Sequence, residues 1–211
     1  MSEHLSMNTV IHAAVRRDLR RFTAALADFP VGSVERAADL NRAWQHLDHQ
    51  LHEHHEGEET IFWPALRKLG ADPALVSDLD GEHRRMADAM VGARTAMAAL
   101  AGQPDAERRD AAQAALAELT DVVQTHFAHE ERDLEPMMAK VLDTPEMKEA
   151  GHKIRRTMSP PEAGAYLTWL GDGADPEAKA FLRHEIPAPV LFIFTRLFGR
   201  SYRRGIASVW A

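Results

Sequence analysis

The sequence predicts an all-α fold: an up-down-up-down four-helix bundle with a helical carboxy-terminal extension. Three observations predict it. Ala, Leu, Arg, Glu and Met, all strong helix formers, dominate residues 1–142. Apolar residues recur there at alternating steps of three and four, the spacing of a buried helical stripe. Gly and Pro gather in three short clusters between long uninterrupted stretches, and nothing in the region reads as strand.

The first helix runs to Phe29-Pro30-Val31-Gly32-Ser33, the second to Gly70-Ala71-Asp72-Pro73, the third to Gly102-Gln103-Pro104-Asp105, and the fourth to about residue 142. Each break combines a Gly or Pro stop with a Ser, Asp or Pro able to start the next helix. Links this short predict antiparallel neighbours. Pro64 and Pro136 fall inside the second and fourth helices, where a missing N–H and a ring clash should kink the backbone or end it early. Beyond Thr144-Pro145, the breakers Ser159-Pro160-Pro161, Gly171-Asp172-Gly173 and Pro187-Ala188-Pro189 divide residues 143–211 into short helices and turns. The predicted domains are therefore a bundle, 1–142, and an extension, 143–211.

The seams follow from the stripe. They are Leu5, Asn8, His12, Val15, Leu19, Phe22, Leu26 in the first helix, and Leu40, Trp44, Leu47, Leu51, His54, Glu58, Ile61, Ala65 in the second, with Phe62 and Leu66 flanking. The third gives Val76, Leu79, His83, Met86, Met90, Ala93, Met97, Leu100. The fourth gives Leu116, Leu119, Val123, His126, Glu130, then Leu134, Met137 and Val141 as the stripe drifts by one. Apart from Asn8, each seam is interrupted only by His, or by His followed by Glu. An unpaired buried polar group costs several kcal/mol, so six ionisable groups in one core require compensation.

Their heights agree. His12 lies 17 residues before Phe29 and His54 21 after Ser33, while His83 lies 18 before Ala101 and His126 21 after Asp105. At about 1.5 Å per residue, all four sit roughly 25–32 Å from their turns. The chain also repeats: H-x-x-x-E-E-x-x-x-x-P places His54, Glu58, Glu59 and Pro64 on His126, Glu130, Glu131 and Pro136 at an offset of 72 residues, with His12 and His83 71 apart. Two copies of one helical hairpin, related by an approximate two-fold, would bring matching half-sites together.

Composition narrows the chemistry. Twelve His outnumber 8 Phe, and there is no Cys, which excludes disulfides, thiolate zinc, cysteine-held iron–sulfur clusters and a cysteine nucleophile. Any metal must rely mainly on nitrogen and oxygen donors. The start, MSEHLSMNTV, lacks a basic region and an apolar core, and no run of about 18 apolar residues occurs, so a cytoplasmic location is expected. Net charge is −7, with −11 on residues 1–150 and +4 on residues 151–211. The acidic body argues against nucleic acid as a partner.

Residues four apart on a helix share a face, so His54 with Glu58, and His126 with Glu130, project together. With His12 and His83 they make four imidazoles and two carboxylates, a set that suits iron, manganese or zinc and fits a pair of ions better than one. These residues resemble the hemerythrin-like proteins with an HHE cation-binding domain, whose four-helix bundle holds a non-haem di-iron centre; the resemblance covers residues 5–141. It implies two iron ions held by His12, His54, Glu58, His83, His126 and Glu130, and a small diatomic or peroxide ligand. Two departures stand out. Oxygen-carrying hemerythrins have H-x-x-x-H on the third helix, whereas Leu79 and Ala87 flank His83 here, and Glu131 stands where they place Asp. The missing histidine points from reversible oxygen carriage toward redox chemistry, as a peroxide- or nitric-oxide-consuming enzyme, or toward sensing. The alternative is a non-redox metal-binding or structural bundle.

Off the seams, His46, His49, His52, His55 and His129 read as solvated helix-face residues, with His129 and Glu131 as reserve ligands or as partners orienting an imidazole. Glu53, Glu56 and Glu59 read as a charged face, and Met86, Met90 and Met97 as core. In the tail, an apolar run from Val190 to Phe194 precedes Arg196, Arg200, Arg203 and Arg204. It is expected to pack on the bundle or on a second copy in a homodimer, or to form a lid over the site; a membrane surface is the less favoured contact.

Overall fold

A computed structural model describes residues 5–211; residues 1–4, the first of the amino-terminal segment read above, lie outside the described residues. Among the described residues every regular element is helical and there is no strand. Helix α1 spans Met7–Ala27 and α2 Val34–Gly57, which continues through a π-helical turn, Glu58–Phe62, into α3, Trp63–Lys68. Helix α4 spans Pro73–Gly102 and α5 Ala106–His129, which continues through a second π-helical turn, Glu130–Leu134, into α6, Glu135–Val141, followed by α7, Pro145–Thr157. The three breaks fall where the breakers predict. Gly32 and Gly70 adopt φ of 92° and 85°, a region closed to most side chains. Ser33, Asp72 and Asp105 then cap the next helices, accepting from the backbone N–H of Arg36, Ala74 and Arg108.

The chain forms two compact units: residues up to Asp18 with Thr157–Ala211, and Leu19–Arg156. In the larger unit, α2 packs on α4 and α4 on α5. The apolar stripes predicted for this unit point inward: Leu19, Phe22, Leu26, Leu40, Trp44, Leu47, Leu51, Met86, Met97, Leu116, Leu119 and Val123 are all buried. Phe22 meets Trp44 edge-on at 6.1 Å. Burial of each large side chain contributes roughly 1.5–3 kcal/mol, so the stripe and not propensity holds these helices together. One further apolar cluster joins Trp63, Leu66, Val76, Leu79, Leu134 and Met147.

The smaller unit combines the start of α1 with α8 (Pro160–Gly171), α9 (Pro176–Glu185), α10 (Ala188–Ile193), a π-helical turn (Phe194–Phe198) and α11 (Arg200–Gly205). A buried polar network ties them. Arg17 Nε donates to Asp18 Oδ1 at 2.9 Å, Trp169 Nε1 donates to Asp18 Oδ2 at 2.7 Å, and Tyr202 OH donates to Asp172 Oδ2 at 2.9 Å. Arg17 also donates to the backbone carbonyls of Trp169 and Asp172. Of the apolar run, Leu191 and Phe194 are half-buried while Val190, Phe192 and Ile193 face outward. Consecutive helical residues diverge by about 100°, so five in a row cannot share one buried face. No described helix is long and apolar enough to cross a membrane.

Candidate metal centre

Pro64 and Pro136 neither end nor interrupt their helices. Each follows a widened turn in which a backbone N–H reaches five residues back, Trp63 to the Glu58 carbonyl and Glu135 to the Glu130 carbonyl. A proline ring clashes with the carbonyl four residues before it, and a π turn opens the space that relieves the clash. The extra residue shifts the inward face by one position. That shift is the drift from Glu130 to Leu134 in the fourth seam, and it places Leu66, fully buried, beside Ala65 in the second. The repeat thus sets Glu58 and Glu130 at equivalent places, each opening a π turn.

Within the larger unit these residues converge. His55, Glu58, His83 and His126 are all buried and offer ligand atoms within 4.8 Å of one another; the ligand atoms of His54 and Glu130 are likewise within 4.8 Å of each other. His54 Nε2 lies 3.5 Å from Glu58 Oε1, His83 Nε2 3.5 Å from Glu58 Oε2, and His126 Nε2 3.7 Å from Glu130 Oε1. The His55 and His83 rings are 4.4 Å apart. Trp63 stacks on His83 at 5.8 Å, and Phe127 meets His54 edge-on at 6.2 Å. His12 belongs to the smaller unit; it is fully buried, on the same face of α1 as Val15 and Leu19.

Two imidazoles have their tautomers set by neighbours. His83 Nδ1 bonds Glu59 Oε1 at 2.8 Å and His126 Nδ1 bonds Glu82 Oε2 at 2.9 Å. An ionised carboxylate only accepts, so each Nδ1 donates, and in a neutral ring that leaves the lone pair on Nε2. Burial lowers the His126 pKa, the neighbouring Glu130 opposing it, which keeps the ring neutral. The two Nε2 atoms nevertheless face each other at 3.1 Å. Two nitrogens held about 2.1 Å from one ion lie about 3 Å apart when the angle between them is near a right angle. The pair is therefore poised as a chelate.

The carboxylates say the same. Glu58 is buried, and among the described residues no hydrogen-bond donor reaches its Oε2. Its pKa is raised well above 4.5, first by burial and then by the charges of Glu130, Glu135 and Glu59. Two buried carboxylates this close are costly unless a cation neutralises them, and imidazole nitrogen with carboxylate oxygen suits iron, manganese or zinc. The residues present fit a metal centre.

Several sequence expectations need correction. His55, expected to be solvated, is buried against His83. It lies three residues before Glu58, and positions three apart also share a helix side, which is the signal that would have found it. Glu59, expected on a charged face, holds His83 with a side chain still half-exposed. His129 and His46 are half-buried, and His129 Nδ1 bonds Glu82 Oε1 at 2.9 Å, so that Glu82 spans two histidines of α5. His49 and His52 are exposed as expected, each beside a glutamate one turn on, Glu53 and Glu56. The Met86, Met90 and Met97 stripe is core.

Comparison with known families matches residues 9–138 to the hemerythrin HHE cation binding domain. No curated protein and no solved structure matches the chain.

Proposed function

Because the chain belongs to the hemerythrin HHE cation-binding family, we propose that it is a non-haem di-iron protein that reacts with oxygen, peroxide or nitric oxide, as a scavenger or a sensor. The observation that carries the proposal is the pair of Nε2 atoms of His83 and His126 facing each other at 3.1 Å, beside the buried carboxylate of Glu58. His54, His55, Glu58, His83, His126 and Glu130 of the larger unit would hold the metal, and His12 is assigned as a further ligand from its seam position alone. Bound there, iron would supply a change of oxidation state and open coordination positions for a small ligand.

The protein's own groups have separate tasks. Glu59 and Glu82 hold the Nδ1 protons of His83 and His126, which fixes the rings and raises the basicity of the opposite nitrogens. Trp63 and Phe127 cover His83 and His54 and limit water. Leu79 and Ala87 stand one turn either side of His83, where an oxygen carrier would have a second histidine on that helix, and His55 of α2 would supply an imidazole from a different direction, a departure that favours reaction over reversible carriage.

Metal content by mass spectrometry on protein purified without a histidine tag, with absorption spectra before and after oxidation, tests this. A pair of irons per chain with near-ultraviolet charge-transfer bands is expected, and turnover of peroxide or nitric oxide would mark a scavenger rather than a sensor. Zinc, or no metal after reconstitution with ferrous iron, would leave a non-redox bundle.

A further inference from the structure

Residues 186–211 contain four Arg and no Asp or Glu. Within them Val190, Phe192, Ile193 and Leu197 are 40%, 66%, 45% and 65% exposed. Phe192 and Ile193 of α10, Arg196 and Leu197 of the π-helical turn, and Arg200 and Arg204 of α11 are all exposed. These exposed apolar and cationic side chains make up the outward arc of the segment. Leu191, Phe194, Phe198 and Tyr202 occupy the opposite side, half-buried or buried.

The orientation of that arc is fixed by close packing. A Cβ on Gly164 of α8 would collide with Phe198 and with the Phe194 carbonyl, and one on Gly199 would collide with Thr168. Both glycines let α8 and the π-helical turn Phe194–Phe198 lie backbone against backbone. Arg203 donates to the carbonyls of Thr195 at 2.8 Å and Arg196 at 3.3 Å, tying the turn to α11. Arg196, Arg200 and Arg204 remain exposed.

We propose that this face docks the chain on an anionic bilayer surface, with Phe192, Ile193 and Leu197 entering the boundary between headgroups and acyl chains and Arg196, Arg200 and Arg204 pairing with lipid phosphates. Charge complementarity selects this occupant. Arginines interleaved with large apolar groups match an interface that is anionic above and apolar below, and their stems extend along it. A two-fold contact built from this same face on both copies would offer the arginines no counter-charge, because residues 186–211 hold no Asp or Glu. Residues 1–150 carry −11 and are repelled by anionic lipid, so this segment supplies the attraction. A face this short gives weak, reversible attachment.

Flotation of the full chain with vesicles tests the proposal. With phosphatidylcholine vesicles containing about a third phosphatidylserine, binding is expected to exceed that to pure phosphatidylcholine by about tenfold at low salt and to fall as salt is raised. Arg196→Glu with Arg200→Glu should bring it down to the phosphatidylcholine level, and Phe192→Ser with Leu197→Ser should lower it about tenfold. All four side chains are exposed, so an unchanged helical spectrum and melting temperature confirm that both variants fold. Absence of binding to the anionic vesicles, or binding unaffected by either pair of substitutions, overturns the proposal. So does self-association abolished by Phe192→Ser with Leu197→Ser without vesicle binding, which would assign the face to a second copy.

Discussion

Glu82 and His126 stand on neighbouring helices, α4 and α5, and meet at 2.9 Å between Oε2 and Nδ1. The contact sets which imidazole nitrogen faces the centre. Replacing Glu82 with Gln leaves a similar shape but lets the side-chain N–H₂ face Nδ1, so the opposite tautomer becomes available. Metal affinity should fall by about 10–100-fold, the usual cost of losing such a partner, as read by competition with a chelator. Glu59→Gln should cost less, because Glu59 is half-exposed and water replaces it. Equal affinity for Glu82→Gln and the unaltered chain would remove this carboxylate from the centre.

His126→Ala should strip metal and lower thermal stability. A ligand present at about a thousand times its dissociation constant contributes about 4 kcal/mol, or roughly 10 °C in a domain of this size. His52→Ala, on the exposed side of α2, should change neither metal content nor melting temperature. Calorimetry on both variants, with and without a chelator, separates lost binding from lost packing, since only lost packing persists in the chelated pair.

His55 divides the structural reading from the seam reading. If it ligates, His55→Ala should reduce metal content to about half while His55→Asp, which restores an oxygen donor, recovers part of it. Full metal content in His55→Ala would return the residue to a packing role against His83.

The physical basis of that difference shows what the sequence could reveal. Period and breakers were legible: Ser33, Asp72 and Asp105 cap helices where the breaks predicted, and every apolar position in the third seam from Val76 to Leu100 is buried. That Glu58, His83, His126 and Glu130 would be buried was legible because ionisable residues interrupt apolar stripes there. The burial of His55 was missed because the seam admitted one residue per turn, whereas the helix approaching a π turn packs His55 against His83 as well as turning His54 inward. Glu59 and Glu82 could not be found, since each acts on a histidine of another helix and only the packing says which carboxylates meet an imidazole. Pro64 and Pro136 announced a disturbance; that it would be a wider turn depended on the backbone's freedom to add a residue without losing the hydrogen bonds around it.

Acid should release the metal, and the direction follows from the two buried groups. Glu58 has a raised pKa without a cation, so the metal-free fold holds the proton that the unfolded chain loses near 4.5. Its contribution to metal-free stability is present below that value and lost as pH rises. A cation takes the place of that proton, so binding releases it and affinity strengthens with pH. His126 acts in the same sense: its pKa is lowered below 6.5, and only its neutral ring can ligate. Chelator stripping should therefore speed up as pH falls from about 7 to about 5, with the melting temperatures of loaded and metal-free protein converging. A gap that stays constant across this range would mean that no protons are exchanged for the metal.

Asp18 anchors the smaller unit, and its charge rather than its shape should matter. It accepts from both Arg17 Nε and Trp169 Nε1 and is 2% exposed. Asn at this position keeps an acceptor for Trp169 but leaves the buried guanidinium of Arg17 without its nearest counter-charge. Breaking such a pair by removing one partner costs about 3–5 kcal/mol. Asp18→Asn should therefore destabilise strongly, and Arg17→Met with Asp18→Asn should recover much of the loss, because no unpaired charge remains buried. Chemical denaturation of the single and double variants measures the coupling; additive losses would mean that Arg17 and Asp18 act independently and that the carbonyls of Trp169 and Asp172 alone satisfy the guanidinium.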